Sequence, residues 1–265
     1  MESEWKEVRD NDWTERPQSV LVFDFGGGTL DVSIIKVEAR KGIMHIDPIG
    51  RSRYNNLGGD DIDLDIAAFM ISCWEYETGK ELSSLSSQVR KNVFKPFLEK
   101  AQAFREEAEN YIANRLELNE FIVTEEVIVG KEKLSIQFSR ELSRSQYDEI
   151  TGRFFTDKSE INIYKPIGQA LAVAQNIDSR FMKDSLDLVL YTGGASQMAA
   201  VRAALECYFA PKPCFPISED EACNTVALGA ASCRYDELHR RAEVWMTNRL
   251  LEGIYTRVSK SAFVR

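Results

Sequence analysis

Cysteine and histidine are scarce and poorly spaced for metal chemistry. The five cysteines, Cys73, Cys207, Cys214, Cys223 and Cys233, contain no Cys-x-x-Cys pair, and His45 and His239 are the two histidines. An odd count without paired spacing argues against a disulfide framework and against structural zinc, and makes a reducing cytoplasm the expected compartment. No apolar run approaches the roughly 20 residues that a membrane helix requires. The opening Met1-Glu-Ser-Glu-Trp-Lys-Glu7 lacks the basic and apolar regions of a signal peptide, so the chain is expected neither to span a membrane nor to be secreted. Basic residues are outnumbered, 33 against 42 acidic, for a net charge of -9. That balance argues against non-specific binding to nucleic acid or to an anionic membrane, and any bound phosphate has to be held locally. Two common phosphate signatures are also missing: no Gly-Lys-Ser/Thr follows a glycine loop, and the glycine triplet opens no helix as a dinucleotide fingerprint would.

What is present is a soluble globular composition, 265 residues with 44% hydrophobic, long enough for one large or two small domains. Its most informative segment is Val20-Leu-Val-Phe-Asp-Phe-Gly-Gly-Gly-Thr-Leu-Asp-Val-Ser-Ile-Ile35. The run before Gly26 is apolar and β-branched, and alternation resumes after Gly28 through Leu30, Val32 and Ile34, which predicts two strands joined by a glycine turn. Residues without Cβ let a ligand approach the backbone and leave N–H groups for an anion. Thr29 adds a hydroxyl donor, while Asp24 and Asp31 are placed to hold a hydrated divalent cation or position a water. Carboxylates beside a phosphate repel it unless a metal intervenes, which makes Mg2+ an implied cofactor. A plain tight turn is the competing reading of the glycines, and the flanking acids count against it.

Residues 1–17 read as a polar leader ending at Pro17. A third strand is expected near Ile43 to Ile49, followed by the turn Asn55-Asn-Leu-Gly-Gly-Asp-Asp-Ile-Asp63 and a helix with Ile62, Ile66, Phe69, Cys73 and Tyr76 on one face. Asp60 and Asp61 fall in its first turn, where the helix dipole favours acids. From about Glu81 to Asp157 the composition becomes more polar: helices over Ser86 to Leu116, a hairpin from Glu126 to Phe138, and a helix from Arg140. Pro96 should start a new helix or kink the old one. A helix from Glu160 to Arg180, bent at Pro166, leads to a buried strand Asp187 to Thr192, the loop Gly193-Gly194-Ala195-Ser196, and a helix marked by Met198, Val201, Leu205 and Tyr208. A short strand from Cys214 to Ile217 and a helix from Glu219 to Ala230 complete the pattern, and residues 236–265 read as a basic helical tail.

Four motifs in order carry a resemblance: the glycine hairpin, Leu57-Gly-Gly-Asp-Asp-Ile-Asp63, Leu190-Tyr-Thr-Gly-Gly-Ala-Ser196, and the Asp220-Glu-Ala to Leu228-Gly-Ala-Ala231 helix. Together they resemble a DnaK-type, seventy-kilodalton heat-shock chaperone, specifically the second lobe of its actin-like nucleotide-binding domain over about residues 18–235. The resemblance implies an α/β fold, a ribonuclease-H-like actin-type ATPase lobe with a mixed five-stranded sheet and an inserted α+β subdomain. Residues 18–57 and 158–235 would form the lower subdomain and 58–157 the inserted upper one. The implied cofactors are ATP or ADP with Mg2+. Asp24 and Asp31 match the acids near the metal and the attacking water, and Gly26, Gly27, Gly28 and Thr29 match a phosphate loop. Gly58 and Gly59 match the turn into the upper subdomain. Gly193, Gly194 and Ser196 match the adenosine loop, Asp220 an acid near the nucleoside, and Glu109 the ribose contact.

Departures from the pattern sharpen the expectation. Ile112 and Ala113 stand where the family has a basic pair, and Gln197 stands where an arginine stacks on adenine. The family's other lobe, with its own phosphate hairpin and a lysine, finds no match in this sequence, nor does the peptide-binding domain. The sequence therefore predicts a nucleotide-binding lobe that does not turn over ATP alone. Its implied partners are the other lobe, a substrate-binding domain, and J-domain and nucleotide-exchange co-chaperones of a stress-response system. Two alternatives stand beside it: a degenerate lobe acting as a protein-interaction module, and another actin-like ATPase or kinase.

Overall fold

The computed structural model describes residues 17–40, 43–53, 56–113, 120–129, 132–216 and 245–246. Three antiparallel strands open the fold: β1 (Gln18–Phe25), β2 (Leu30–Arg40) and β3 (Ile43–Arg51). A 20-residue helix α1 (Gly59–Thr78) and a 27-residue helix α2 (Ser87–Ala113) follow. The hairpin β4 (Glu120–Val129) and β5 (Glu132–Glu141), then α3 (Arg144–Thr151), come next. Helix α4 (Tyr164–Ile177) returns the chain to the main sheet, which is completed by β6 (Leu188–Thr192), α5 (Ala199–Phe209) and β7 (Cys214–Pro216). Trp245–Met246 form β8.

The sheet order is β7-β6-β1-β2-β3-β8, with β6 parallel to β1 and β7 parallel to β6. The five expected strands make this mixed sheet, and the two-residue β8 adds a sixth beside β3. Apart from that pair, the helices expected over 219–230 and 236–265 lie outside the described residues.

Strand alternation decides what the sheet presents on each face. Leu21, Phe23, Phe25, Leu30, Val32 and Ile34 enter the main core, whereas Val20, Val37 and Leu188 form a smaller cluster with Val22, Ile35 and Leu190. Asp24 and Asp31 therefore continue the row that carries the smaller cluster, at its glycine end. Helix α4 packs on β2 and β3, where Gly50 is indispensable: a Cβ there would lie 2.5 Å from the Ala170 carbonyl oxygen.

The core runs unbroken into the upper region, where Trp74, Phe97 and Phe138 stack with centroids 6.0 and 5.9 Å apart. Helix α1 buries Ile62, Ile66, Met70 and Trp74, a step of four each time. The expected face drifts off this line: Phe69 and Cys73 are half-buried and Tyr76 is 89% exposed. Residues four apart advance about 40° around a helix at each step, so the buried stripe turns away from the side on which Tyr76 lies. Other boundaries shift in the same physical way. Helix α2 runs through Pro96 instead of restarting there, held by the buried Val93, Phe97 and Ala101. Helix α3 begins after Ser143, whose hydroxyl accepts from the Gln146 N–H at 3.3 Å while its own N–H donates to the Gln146 side chain. Pro166 sits in the first turn of α4, where a missing N–H costs nothing.

Candidate functional site

Three glycine-bearing segments meet at the carboxyl ends of β1 and β6. In the hairpin, the Gly26 N–H donates to the Thr29 carbonyl at 2.9 Å, and register places Asp24 directly opposite Asp31. Gly27 and Gly28 are exposed, and among the described residues their N–H groups donate to no protein acceptor. Burial pushes the Asp24 carboxyl above its ordinary value, and the nearby Asp31 adds to the shift.

The turn into α1 locks onto this hairpin. The Gly59 N–H donates to the Gly26 carbonyl at 3.0 Å and the Asp60 N–H to the Gly27 carbonyl at 2.7 Å. The first donors of the helix, which have no partner inside it, are thus spent on hairpin carbonyls, leaving the hairpin's own N–H groups outward. Gly58 is required by proximity: a Cβ there would lie 2.0 Å from the Gly27 oxygen. The Asp61 carboxylate accepts from the Gly58 N–H at 2.8 Å, which accounts for that acid as a cap. Asp60 has a different position, its carboxylate 3.2 Å from where a Gly27 Cβ would be.

The loop after β6 closes the junction. Gly193 has φ of 90°, and a Cβ on it would lie 2.4 Å from the Phe25 carbonyl oxygen and 2.7 Å from the Asp24 carboxylate. The fully buried Ser196 donates its hydroxyl to the Gly193 carbonyl at 2.7 Å, so it holds the loop's shape. Gly194 has open space around it. Glu109 reaches the same loop from α2: one oxygen accepts from the Tyr147 hydroxyl at 2.7 Å and the other from the Ala199 N–H at 2.7 Å, at the start of α5. Gln197 accepts a hydrogen bond from Arg202.

Asp24, Asp31, Gly26, Gly27, Gly28, Thr29, Gly58, Gly59, Gly193, Gly194 and Ser196 are therefore gathered at one junction, with Glu109 bound to its edge. Asp220 lies outside the described residues, as do the side chains of Ile112 and Ala113. Two features escaped the sequence reading. Asp60 looked like a capping acid yet abuts the glycine hairpin. Arg105 interrupts the buried row Ala101, Phe104 and Ala108, and a cation on an apolar stripe signals a buried partner. That partner is Asp63, which accepts from Arg105 at 2.6 and 3.1 Å. Arg105 also stands 3.6 Å from where a Gly59 Cβ would be.

No group of three or more metal-ligating side chains occurs among the described residues. An all-protein metal cage is thus not available there, but Mg2+ commonly takes one or two carboxylates and completes its shell with water and phosphate. Asp24 and Asp31 fit that donor set.

Comparison with known proteins agrees with the geometry. The model of the Hsp70 protein family matches residues 9–234, beginning inside the stretch expected to be a leader. The chaperone protein dnaK of Cyanidioschyzon merolae (strain NIES-3377 / 10D) is 29% identical over 214 residues, covering 81% of this chain and 30% of that protein. The fold and site define a nucleotide-binding domain of α/β type with the architecture of an actin-like ATPase lobe. The chain belongs to the Hsp70 family, of the DnaK-like chaperone type. It spans 30% of the length of the relative it matches. No helix among the described residues is long and apolar enough to cross a membrane.

Proposed function

We propose that this chain is the second lobe of a DnaK-like nucleotide-binding domain and that it holds the phosphates of Mg-ATP or Mg-ADP on the Gly26–Thr29 hairpin. The observation that carries the reading is the pairing of exposed, unspent N–H groups at Gly27 and Gly28 with two opposed carboxylates at Asp24 and Asp31. Residues 18–57 and 158–235 would make the lower subdomain and 58–157 the upper, with Gly58 and Gly59 at the turn between them. Gly193, Gly194, Ser196, Glu109 and Asp220 would line the nucleoside side. Bound Mg2+ would supply positive charge between carboxylates and phosphate. The chain's own residues would orient the phosphates through the backbone donors of Gly27 and Gly28, and Asp24 and Asp31 would hold the metal.

ATP turnover needs more than this. A transferred phosphoryl group requires groups positioned on both sides of it, and Arg105, the cation that the Gly59 backbone approaches, is committed to Asp63. This chain is expected not to hydrolyse ATP by itself, and a steady ATPase rate abolished by Asp24→Asn would contradict this. The other lobe, a substrate-binding domain, J-domain and nucleotide-exchange co-chaperones, and a cytoplasmic setting are proposed from the family. The test is titration with ATP, GTP and pyrophosphate, each with and without Mg2+. Metal-dependent binding supports the reading; absence of binding to all three favours a second one, a decayed lobe used as a protein-interaction module. Gln197 favours that alternative, since its oxygen is engaged by Arg202.

A further inference from the structure

Capping does not account for Asp60. Helix α1 begins at Gly59, and the cap at its start is supplied by Asp61, whose carboxylate accepts from the Gly58 N–H at 2.8 Å. Asp60 is exposed, and its carboxylate accepts from no donor among the described residues. Its place is nevertheless fixed. The Asp60 N–H donates to the Gly27 carbonyl at 2.7 Å, which pins the residue to the hairpin by its own backbone. A Cβ on Gly27 would lie 3.2 Å from Asp60 Oδ1, and one on Gly28 would lie 3.9 Å from Oδ2. The unpartnered carboxylate therefore lies against the same two residues whose N–H groups are exposed and donate to no protein acceptor among the described residues.

Two opposing fields act on an anion at this hairpin. Backbone N–H groups attract an oxyanion whatever its kind. A fixed negative charge beside them repels it, unless the anion arrives with its own charge offset by a cation. A single phosphate or a sulfate offers one group to a cation, whereas a di- or triphosphate chelates Mg2+ between neighbouring phosphoryl oxygens. We infer that Asp60 is a specificity-determining residue: its charge makes the hairpin refuse metal-free phosphate and accept a metal-chelated polyphosphate. Its role is distinct from that of Asp24 and Asp31, because Asp60 acts on the anion by charge and not as a ligand of the metal. The inference rests on the phosphate-hairpin reading, since an anion meets Asp60 only when it is held on Gly27 and Gly28.

The experiment is isothermal titration of the full chain with pyrophosphate, in Mg2+ and in a chelator, for the wild type, Asp60→Asn, Asp60→Ser and Asp60→Glu. Asp60→Asn and Asp60→Ser should each tighten metal-free binding about fivefold or more, the worth of one unit charge at about 4 Å in water. Binding of Mg-pyrophosphate should stay within about twofold of the wild type, on the same reasoning that the bound cation offsets the charge. Asp60→Glu keeps the charge and should bind as the wild type does. The gain in the two neutral variants should shrink in about 1 M salt, where fixed charges are screened; an altered helix start would show no such dependence. If Mg2+-dependent binding to the wild type is seen but the neutral variants leave metal-free affinity unchanged or lower, or raise both affinities alike, this inference is overturned and the hairpin reading stands. No binding of pyrophosphate to any of the four proteins overturns both.

Discussion

Asp24 and Asp31 stand directly opposite one another across the β1–β2 ladder, two like charges in register at the end of an apolar row. Like charges in that relation destabilise a sheet, and the raised pKa of Asp24, from burial first and Asp31 second, expresses the same conflict. The fold retains the pair at a cost, which supports the proposal that these two carboxylates share a cation.

That conflict fixes a pH dependence. Because the folded pKa of Asp24 is raised, its contribution to stability is fully present below the unfolded value near 3.8 and is lost as pH rises through the folded pKa. At neutral pH the ionised group therefore works against the fold. Asp24→Asn should raise the melting temperature of the metal-free protein at pH 7 by about 1–2 °C, a modest gain because the group is partly screened by solvent. The gain should shrink toward pH 4, and Mg-dependent phosphate binding should be lost. Differential scanning calorimetry across pH checks the sign; destabilisation at pH 7 would contradict it.

The glycines should separate sharply in mutational cost. Gly58→Ala places a Cβ 2.0 Å from the Gly27 oxygen, and Gly193→Ala combines a 2.4 Å clash with φ of 90°. Each should cost about 1–3 kcal/mol or more and displace the hairpin from its support. Gly194→Ala meets nothing within 4 Å and should change the unfolding midpoint little. Denaturant melts of the three variants make the comparison, and equal costs would argue against the close approach.

The Asp63–Arg105 pair joins α1 to α2 in the interior. Burial pushes the Asp63 carboxyl up while the Arg105 hydrogen bonds pull it back, and the bidentate contact keeps Arg105 charged. Asp63→Ala leaves a buried cation uncompensated and should destabilise by about 3–5 kcal/mol. Asp63→Leu with Arg105→Met should recover most of that loss in urea unfolding.

Glu109 links three elements, so its loss should be felt as a coupling. Removing it strands the hydroxyl of the fully buried Tyr147 and uncaps Ala199. Glu109→Ala should cost about 1–3 kcal/mol. Adding Tyr147→Phe should restore part of it, and a double-mutant cycle with zero coupling would show that the contact carries no energy.

The sequence legibility of the site follows from how local its physics is. Gly26 to Gly28 between alternating runs announced a strand turn, and Gly58-Gly59 before an acid-rich first turn announced a helix start, because each is written in consecutive residues. The convergence of Gly193 on Asp24 became expectable only through the resemblance, since a parallel β1–β6 pairing joins segments far apart in the chain. Periodicity misplaced the α1 face because the buried stripe follows a four-residue step from Ile62 to Trp74, which leaves Tyr76 on the far side, and spacing alone does not say which of the two stripes faces the core. The Asp63–Arg105 pair went unread: Arg105 interrupts the row Ala101, Phe104 and Ala108, which is a signal the sequence carries, but nothing local names Asp63.

The central claim is that the glycine hairpin holds phosphate through a metal shared by Asp24 and Asp31. Titration calorimetry with pyrophosphate, which has no base, tests it without interference from Gln197 or Glu109. The account predicts saturable binding in Mg2+ that falls at least tenfold with a chelator present and again in Asp31→Asn. Binding that ignores both metal and mutation, or no binding at all, would contradict it.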